Sequence, residues 1–288
     1  MAEKNIRLLL AQWQGGVNPD YELGFQIMDV ILPPMKEEEV IKIPVDLDFD
    51  QALQVKNGFN GYDALLKQVS FTRKILKDKD PDRILVIGGD CSVSEAPFDY
   101  LSGRYKENFG ILWLDAHPDI SDPTVSSHLH EMPVYHLMGK GTDTFAQKIE
   151  HPLPADKFMF AGLRYDQLRE MDHRVKDLDM KVATPQELEV SSQPIINWLK
   201  EEKISHLAIH FDLDVLSPAD YRSILPAQPD TDPADFPAAV GQLTLKQVGR
   251  ILQDIESTTE LVGLTIAENM PWDAINLRQE MKQLNFFK

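Results

Sequence analysis

Four short segments of this 288-residue chain carry the side chains best suited to metal chemistry: Gly88-Gly89-Asp90-Cys91, Asp115-Ala116-His117-Pro118-Asp119, Asp212-Leu213-Asp214 and Glu268-Asn269. In Asp115-x-His117-x-Asp119 the alternate residues of an extended segment project to one side, so a single strand end can offer three ligands to one centre or to two adjacent ones. Asp212-x-Asp214 repeats that geometry. A lone carboxylate at a strand end usually caps a helix or pairs with a cation. Several on one edge raise one another's pKa, and divalent cations are the usual means of stabilising such a cluster. Carboxylate oxygens with one or two imidazoles form the donor set expected for Mn²⁺, and two such ions bridged by carboxylates can hold a hydroxide nucleophile near neutral pH. By contrast, the pair in Asp80-Pro81-Asp82 lies in a polar turn ahead of a strand and reads as solvated.

The elements that must position these residues are short apolar runs rich in branched side chains: Ile6–Leu10, Ile84–Ile87, Ile111–Leu114, Phe158–Ala161, Leu207–Phe211 and Leu261–Ile266. Each has the length of a strand buried on both faces. Four of them run directly into the acidic motifs, so the acids converge on one edge of a sheet. Between them lie helical patterns. Tyr62–Lys77 sets Ala64, Leu65, Val69, Ile75 and Leu76 among charges, and Leu245–Ile255 repeats apolar residues at helical spacing behind Thr244, placed as an N-cap. This alternation predicts an α/β fold with a mainly parallel sheet covered on both faces, whose ligands gather at the carboxyl ends of the strands. Pro33-Pro34 and the stretch from Pro218 to Pro237 read as loops.

Composition narrows the function classes. The chain is 43% hydrophobic, enough to bury one large core, and residues 1–288 show no repeat or linker, which predicts a single domain. A formal net charge of −17 repels nucleic-acid phosphates and anionic membranes and favours metal cations and small cationic substrates. The expected partners exclude nucleic acid and membrane. With one cysteine, Cys91, no intrachain disulfide framework is possible, and the apolar run Leu8–Leu10 is too brief for a secretory h-region, so the expected location is cytoplasmic.

The order Gly-Gly-Asp, Asp-Ala-His-x-Asp, a loop histidine, Asp-x-Asp and a late Glu, spread from about Ile84 to Pro271, resembles the arginase/agmatinase/formiminoglutamase (ureohydrolase) family. The resemblance implies a three-layer α/β arginase-like fold and a two-manganese centre. Asp115 and Asp212 resemble the bridging carboxylates, His117 and Asp214 the ligands of the second metal, and Asp119 a ligand of the first. Cys91 stands where the family usually places a histidine ligand. His130 resembles the loop histidine that shuttles a proton, and Glu268 the acid that receives the cationic end of the substrate. The implied reaction is hydrolysis of a C–N bond in a linear amidine or guanidine by a hydroxide held between two ions, with His130 protonating the amine that leaves. Relatives commonly form trimers or hexamers, and the same is expected here.

Cys91 opens two readings: a thiolate ligand, which would suit Zn²⁺ or Fe²⁺ better than Mn²⁺, or a small buried hydrophobe beside the metals. Without Cys91, the set Asp115, His117 and Asp214 resembles the single-zinc site of deacetylase relatives, and a degenerate member that binds without turnover is the third alternative. After Asp214 the chain reads Val215-Leu216-Ser217-Pro218, where the family often continues with Asp-Pro. Ser121 stands where an Asn commonly meets the amino-acid head group, so arginine, agmatine and guanidino acids all stay open. His210, inside a strand, reads as a satisfied core residue; His128 could serve either way; His136, His151, His173 and His206 read as structural or exposed. Trp13-Gln14-Gly15-Gly16 reads as a turn that could also face a substrate.

Overall fold

Strands form where branched and aromatic residues run unbroken, and in the structure, a computed structural model that describes residues 3–50, 52–284 and 286, those runs assemble one large sheet. The strands are β1 (Asn5–Leu10), β2 (Glu38–Lys42), β3 (Val55–Lys56), β4 (Phe59–Asn60), β5 (Arg83–Gly88), β6 (Phe109–Leu114), β7 (Phe158–Ala161), β8 (Lys181–Ala183), β9 (His206–Asp212) and β10 (Glu260–Ala267). The helices are α1 (Tyr21–Ile31), α2 (Tyr62–Lys79), α3 (Glu95–Tyr105), α4 (Pro133–Leu137), α5 (Arg174–Asp177), α6 (Gln193–Glu201), α7 (Leu245–Glu256) and α8 (Trp272–Gln283). Among the described residues the sheet has eight strands in the order β2-β1-β5-β10-β9-β6-β7-β8, every pairing parallel, and β3-β4 is a separate hairpin.

Alternation along each strand divides the core into two layers. Leu9, Ile87, Leu112 and Ile209 face Phe25 of α1, Trp198 of α6 and Ile251 of α7. Leu8, Val86, Ile111 and Ala208 face Leu76 of α2, Phe98 of α3 and Val134 of α4. The result is three layers, helices on both faces of a parallel sheet, as the strand and helix spacing predicts. Thr244 caps α7 in a capping box with Gln247. The two edge strands, β2 and β8, escape detection in sequence. Each is exposed on one side and carries lysine or glutamate in place of a continuous apolar run. Among the described residues no helix is long and apolar enough to cross a membrane.

One buried ion-pair cluster ties together the two segments that flank the strand ends. His136 of α4 lies with Nδ1 2.9 Å from Glu95 Oε1 at the start of α3 and with Nε2 3.1 Å from Asp143 Oδ2. His136 is wholly buried and Glu95 nearly so. Glu95 directly follows the 3₁₀ turn Cys91–Ser94, and α4 begins one residue after the turn Leu129–Glu131 that carries His130. The cluster therefore fixes one loop against the other. Burial works against charge on His136, but Glu95 and Asp143 outweigh it and hold the imidazolium up to about 9. A folded-state pKa above the ordinary 6.5 means that this contribution is complete below about 6.5 and is lost as pH rises through about 9. His136→Leu, which strands two carboxylates, is expected to cost about 3–5 kcal/mol at neutral pH. Urea denaturation of metal-free protein across that pH window should show the gap to wild type closing toward the alkaline end; a gap independent of pH would mean that the histidine is buried neutral.

Candidate metal centre

The four central strands, β5, β10, β9 and β6, are the ones that end in the acidic motifs, and their register sets those ends level. Leu114 pairs with Phe211 and Asp212 with Ala267, so Asp115, Asp212 and Glu268 emerge side by side from β6, β9 and β10. Asp115, Asp119, Asp212, Asp214 and Glu268 are all at most 5% exposed. The chain achieves this closeness with unusual backbone. Glu268 lies at φ +63°, in the left-handed region that L-residues other than Asn and Asp rarely enter, and Asp119 at φ +43° also has positive φ. Glu268 N donates to Gly89 O at 2.7 Å, and a Cβ on Gly89 would sit 1.7 Å from the Gln12 carbonyl oxygen, so only glycine lets the ends of β1, β5 and β10 approach this closely.

Hydrogen bonds aim the carboxylates. Asp115 accepts from Trp113 Nε1 at 2.9 Å and from the His117 backbone N–H at 2.7 Å; Asp212 accepts from the Asp214 backbone N–H at 2.7 Å and from the Cys91 thiol at 3.0 Å. His117 Nδ1 lies 3.1 Å from Asp214 Oδ2 and 3.5 Å from Asp115 Oδ1. His130, on its 3₁₀ turn, places Nδ1 2.9 Å from Glu268 Oε1, and Cys91 Sγ lies 3.2 Å from the same oxygen. Asp90 stands apart from the cluster chemically. It accepts from Gln12, from Ser92 and from Gly15 N, and so secures the Trp13–Gly16 turn against the start of the Cys91 turn.

All eight side chains singled out in the sequence, Cys91, Asp115, His117, Asp119, His130, Asp212, Asp214 and Glu268, border this one site. Potential ligand atoms fall into overlapping groups, each within 4.8 Å: Cys91, Asp115, Asp119 and His210; Asp115, His117 and Asp214; Asp212, Asp214 and Glu268; and Cys91, His130 and Glu268. Asp115 belongs to two of them, as a carboxylate shared between neighbouring ions would. Among the described residues, His117 Nε2, Asp119 Oδ2, Asp214 Oδ1 and His210 Nε2 are buried without a hydrogen-bond partner. Such atoms are costly to bury unless something else occupies them.

The electrostatics agree with a site made for cations. Burial, then the Asp214 carboxylate, pushes Asp115 up to about 7. Burial, then Asp115, lifts Asp119 well above the carboxylate range, and burial with Asp214 does the same to Asp212. Burial opposes ionisation of Asp214, but the adjoining His117 outweighs it and holds Asp214 low. Burial also disfavours charge on His130, yet its hydrogen bond to Glu268 raises it to about 10. Burial, then Glu268, raises the Cys91 thiol well above its ordinary value. The hard, carboxylate-dominated donors, the two imidazoles of His117 and His210 and the orphaned atoms fit divalent ions such as Mn²⁺.

The site opens into a cavity of about 90 Å³, lined by Cys91, His117, Asp119, His130 and Glu268 together with Glu131, Arg169, Leu225 and Phe236. An outer cleft of about 600 Å³ shares Arg169, Phe236 and Ala238 with it. Arg169 is held by Asp172 and Glu131. Three participants went unread in the sequence. Tyr21, from α1, is buried beside Glu268, and burial followed by that carboxylate drives its phenol well above the ordinary value. Arg169 lies far from every motif. His210, expected to be a satisfied core residue, is buried but among the described residues is satisfied at one nitrogen only. The single available signal was its spacing, two residues before Asp212 on the same strand face.

The Arginase family model matches residues 38–276. Arginase-1 of Homo sapiens is 30% identical over 266 residues, covering 84% of this chain and 76% of the relative. An arginase of Staphylococcus aureus is 22% identical over 236 residues, covering 78% of this chain and 73% of the relative; the aligned stretch is 61% of another arginase from that species. Among solved structures, the arginase from Bacillus caldovelox superposes with a TM-score of 0.73 at 18% identity, over 94% of this chain and 92% of that one.

Because the folded protein keeps protons on Asp115 and Asp119 to higher pH than the unfolded chain does, the metal-free protein should lose stability as pH rises from about 4 toward 7. Cations replace those protons, so Mn²⁺ should raise the melting temperature more at the alkaline end of that range than at the acid end. Calorimetry with and without Mn²⁺ would measure this, and a rise that is equal at both ends would count against a carboxylate site.

Proposed function

The chain belongs to the arginase family, and from that premise we propose that residues 1–288 form one catalytic unit, a metal-dependent hydrolase that cuts a C–N bond in a linear amidine or guanidine. The observation that carries the reading is the convergence of four buried carboxylates, Asp119, Asp212, Asp214 and Glu268, with His117 and His130 on one small cavity, and of Asp115 on the same cluster of ligand atoms. Asp115, Asp119, Asp212, Asp214 and His117 would hold two ions, with Cys91 beside them. Bound there, the ions would supply an activated water and positive charge against the negative charge that develops during attack.

The residues of the chain have their own tasks. Glu268, fixed by its strained backbone and its bond to Gly89, faces the cavity and would take the amidinium through paired charge-assisted hydrogen bonds. The inner cavity of about 90 Å³ suits such a planar head group, with the rest of the molecule in the outer cleft. While the site is free of substrate, Glu268 supports the proton on His130. An arriving amidinium competes for that carboxylate, weakens its hold on His130 and leaves the imidazolium free to give its proton away. In the balanced reaction, water adds to the amidine carbon, the C–N bond breaks, the departing nitrogen takes the His130 proton, and the proton that the water gives up restores the imidazolium. The products are an amine and urea, or an amine and the corresponding amide.

The acidic chain and its lone cysteine support a cytoplasmic location and a cationic small-molecule substrate. On the family premise we also place it in a trimer or hexamer.

A screen of guanidines and linear amidines with Mn²⁺-loaded protein, reading urea or amine release, is expected to give turnover that His130→Asn lowers by about 10²–10⁴ in kcat. Glu268→Gln should act mainly through a higher KM for cationic substrates. Turnover of acylated amines alone, with a single ion bound, would replace this reading with the deacetylase-like one.

A further inference from the structure

His210 lies wholly buried on β9, in a cross-strand row with Trp113 of β6 and Thr265 of β10. Its ring stacks on the Trp113 indole with centroids 3.8 Å apart and planes 17° from parallel, which fixes the ring plane. Ser94 Oγ, 2.8 Å from Nδ1, fixes the ring flip. Among the described residues Nε2 has no hydrogen-bond partner, and the Thr265 hydroxyl in the same row, also unpartnered, does not fill the gap. An imidazole held on two sides, with its remaining nitrogen buried and unused, is the arrangement found in metal-binding histidines, where a bond at one nitrogen sets the tautomer that presents the other. Its surroundings point the same way: a ring nitrogen of His210 shares one 4.8 Å group with Cys91 Sγ and with carboxylate oxygens of Asp115 and Asp119, and Asp119 Oδ2 is orphaned as well.

We propose that His210 Nε2 is a direct ligand of the first metal ion, together with Asp115 and Asp119, and supplies from β9 the imidazole that the Cys91 position does not. Cys91 then serves as a neutral thiol that donates to Asp212 rather than as a thiolate ligand. The first site becomes carboxylate and imidazole in character, matched to the same class of ion as the Asp115–His117–Asp214 site and not to a thiophilic one. Ser94, as the group that orients the ring, is a positioning residue. This inference rests on the metal-centre reading above and adds a ligand to it.

The test is metal binding by equilibrium dialysis against Mn²⁺ alone, with elemental analysis, on wild type, His210→Ser and the double variant Cys91→His/His210→Ser. Circular dichroism of the metal-free proteins establishes that each folds. Wild type should bind two ions. His210→Ser should keep one and weaken the other by more than the ~10–100-fold that loss of a supporting hydrogen bond costs. Because Cys91 and His210 present their donor atoms within 4.8 Å of each other, the double variant should recover the second ion. Pulsed electron paramagnetic resonance of Mn²⁺-loaded wild type needs no substitution and should report nitrogen couplings from two imidazoles, His117 and His210. Two ions in wild type and two, equally tight, in His210→Ser, or couplings from one imidazole only, would overturn the role of His210 while leaving the metal centre standing. No ion in wild type would bring down the metal-centre reading itself, and this inference with it.

Discussion

Five carboxylates, Asp115, Asp119, Asp212, Asp214 and Glu268, are withdrawn from water at the carboxyl edge of one parallel sheet, and the surrounding structure is arranged around their mutual repulsion. Left alone, such a group would take up protons, and burial with like charge does push three of the aspartates upward. The protein stabilises the charges only in part. Backbone N–H groups of His117 and Asp214, the Trp113 indole and the Cys91 thiol each reach one oxygen, and several buried atoms are left without partners among the described residues. A cluster satisfied to that degree and no further is suited to receive cations.

Holding it requires rigidity beyond the sheet itself. Parallel register levels the strand ends, but Asp119 and Glu268 reach inward only through backbone at positive φ, and such conformations persist where neighbours over-determine them. The neighbours are identifiable. Gly89 permits the contact of β1, β5 and β10, Asp90 draws the Trp13–Gly16 turn inward, and the His136 cluster locks the Cys91 loop to the His130 loop. The loops carrying the mobile chemistry are thus clamped by buried charge rather than by apolar packing alone.

On the proposed reading, the same electrostatic tension serves catalysis. Glu268 holds a proton on His130 while no substrate is present and gives up that hold to an amidinium, which couples substrate arrival to proton availability. Exchanging one cation for another keeps the buried charge nearly constant, so the exchange avoids most of the desolvation cost that an unpaired carboxylate would incur.

The sequence by itself determined a good deal. Unbroken apolar runs marked the six inner strands, helical spacing marked α2 and α7, and acids placed directly after four of those strands implied one shared edge, because in a parallel sheet all strand ends point the same way. Those inferences needed only local order. The edge strands β2 and β8 were illegible because exposure on one side removes the apolar run that signals a strand. Tyr21, Arg169 and the free nitrogen of His210 were decided only by the tertiary structure. Each depends on which element lies beside which and at what register, and strand order β5-β10-β9-β6 brings together residues that chain order keeps apart. For His210 the sequence could say that the side chain shares a strand face with Asp212; that one nitrogen meets Ser94 and the other meets no partner among the described residues follows from packing across three strands and a helix turn, which no local pattern encodes.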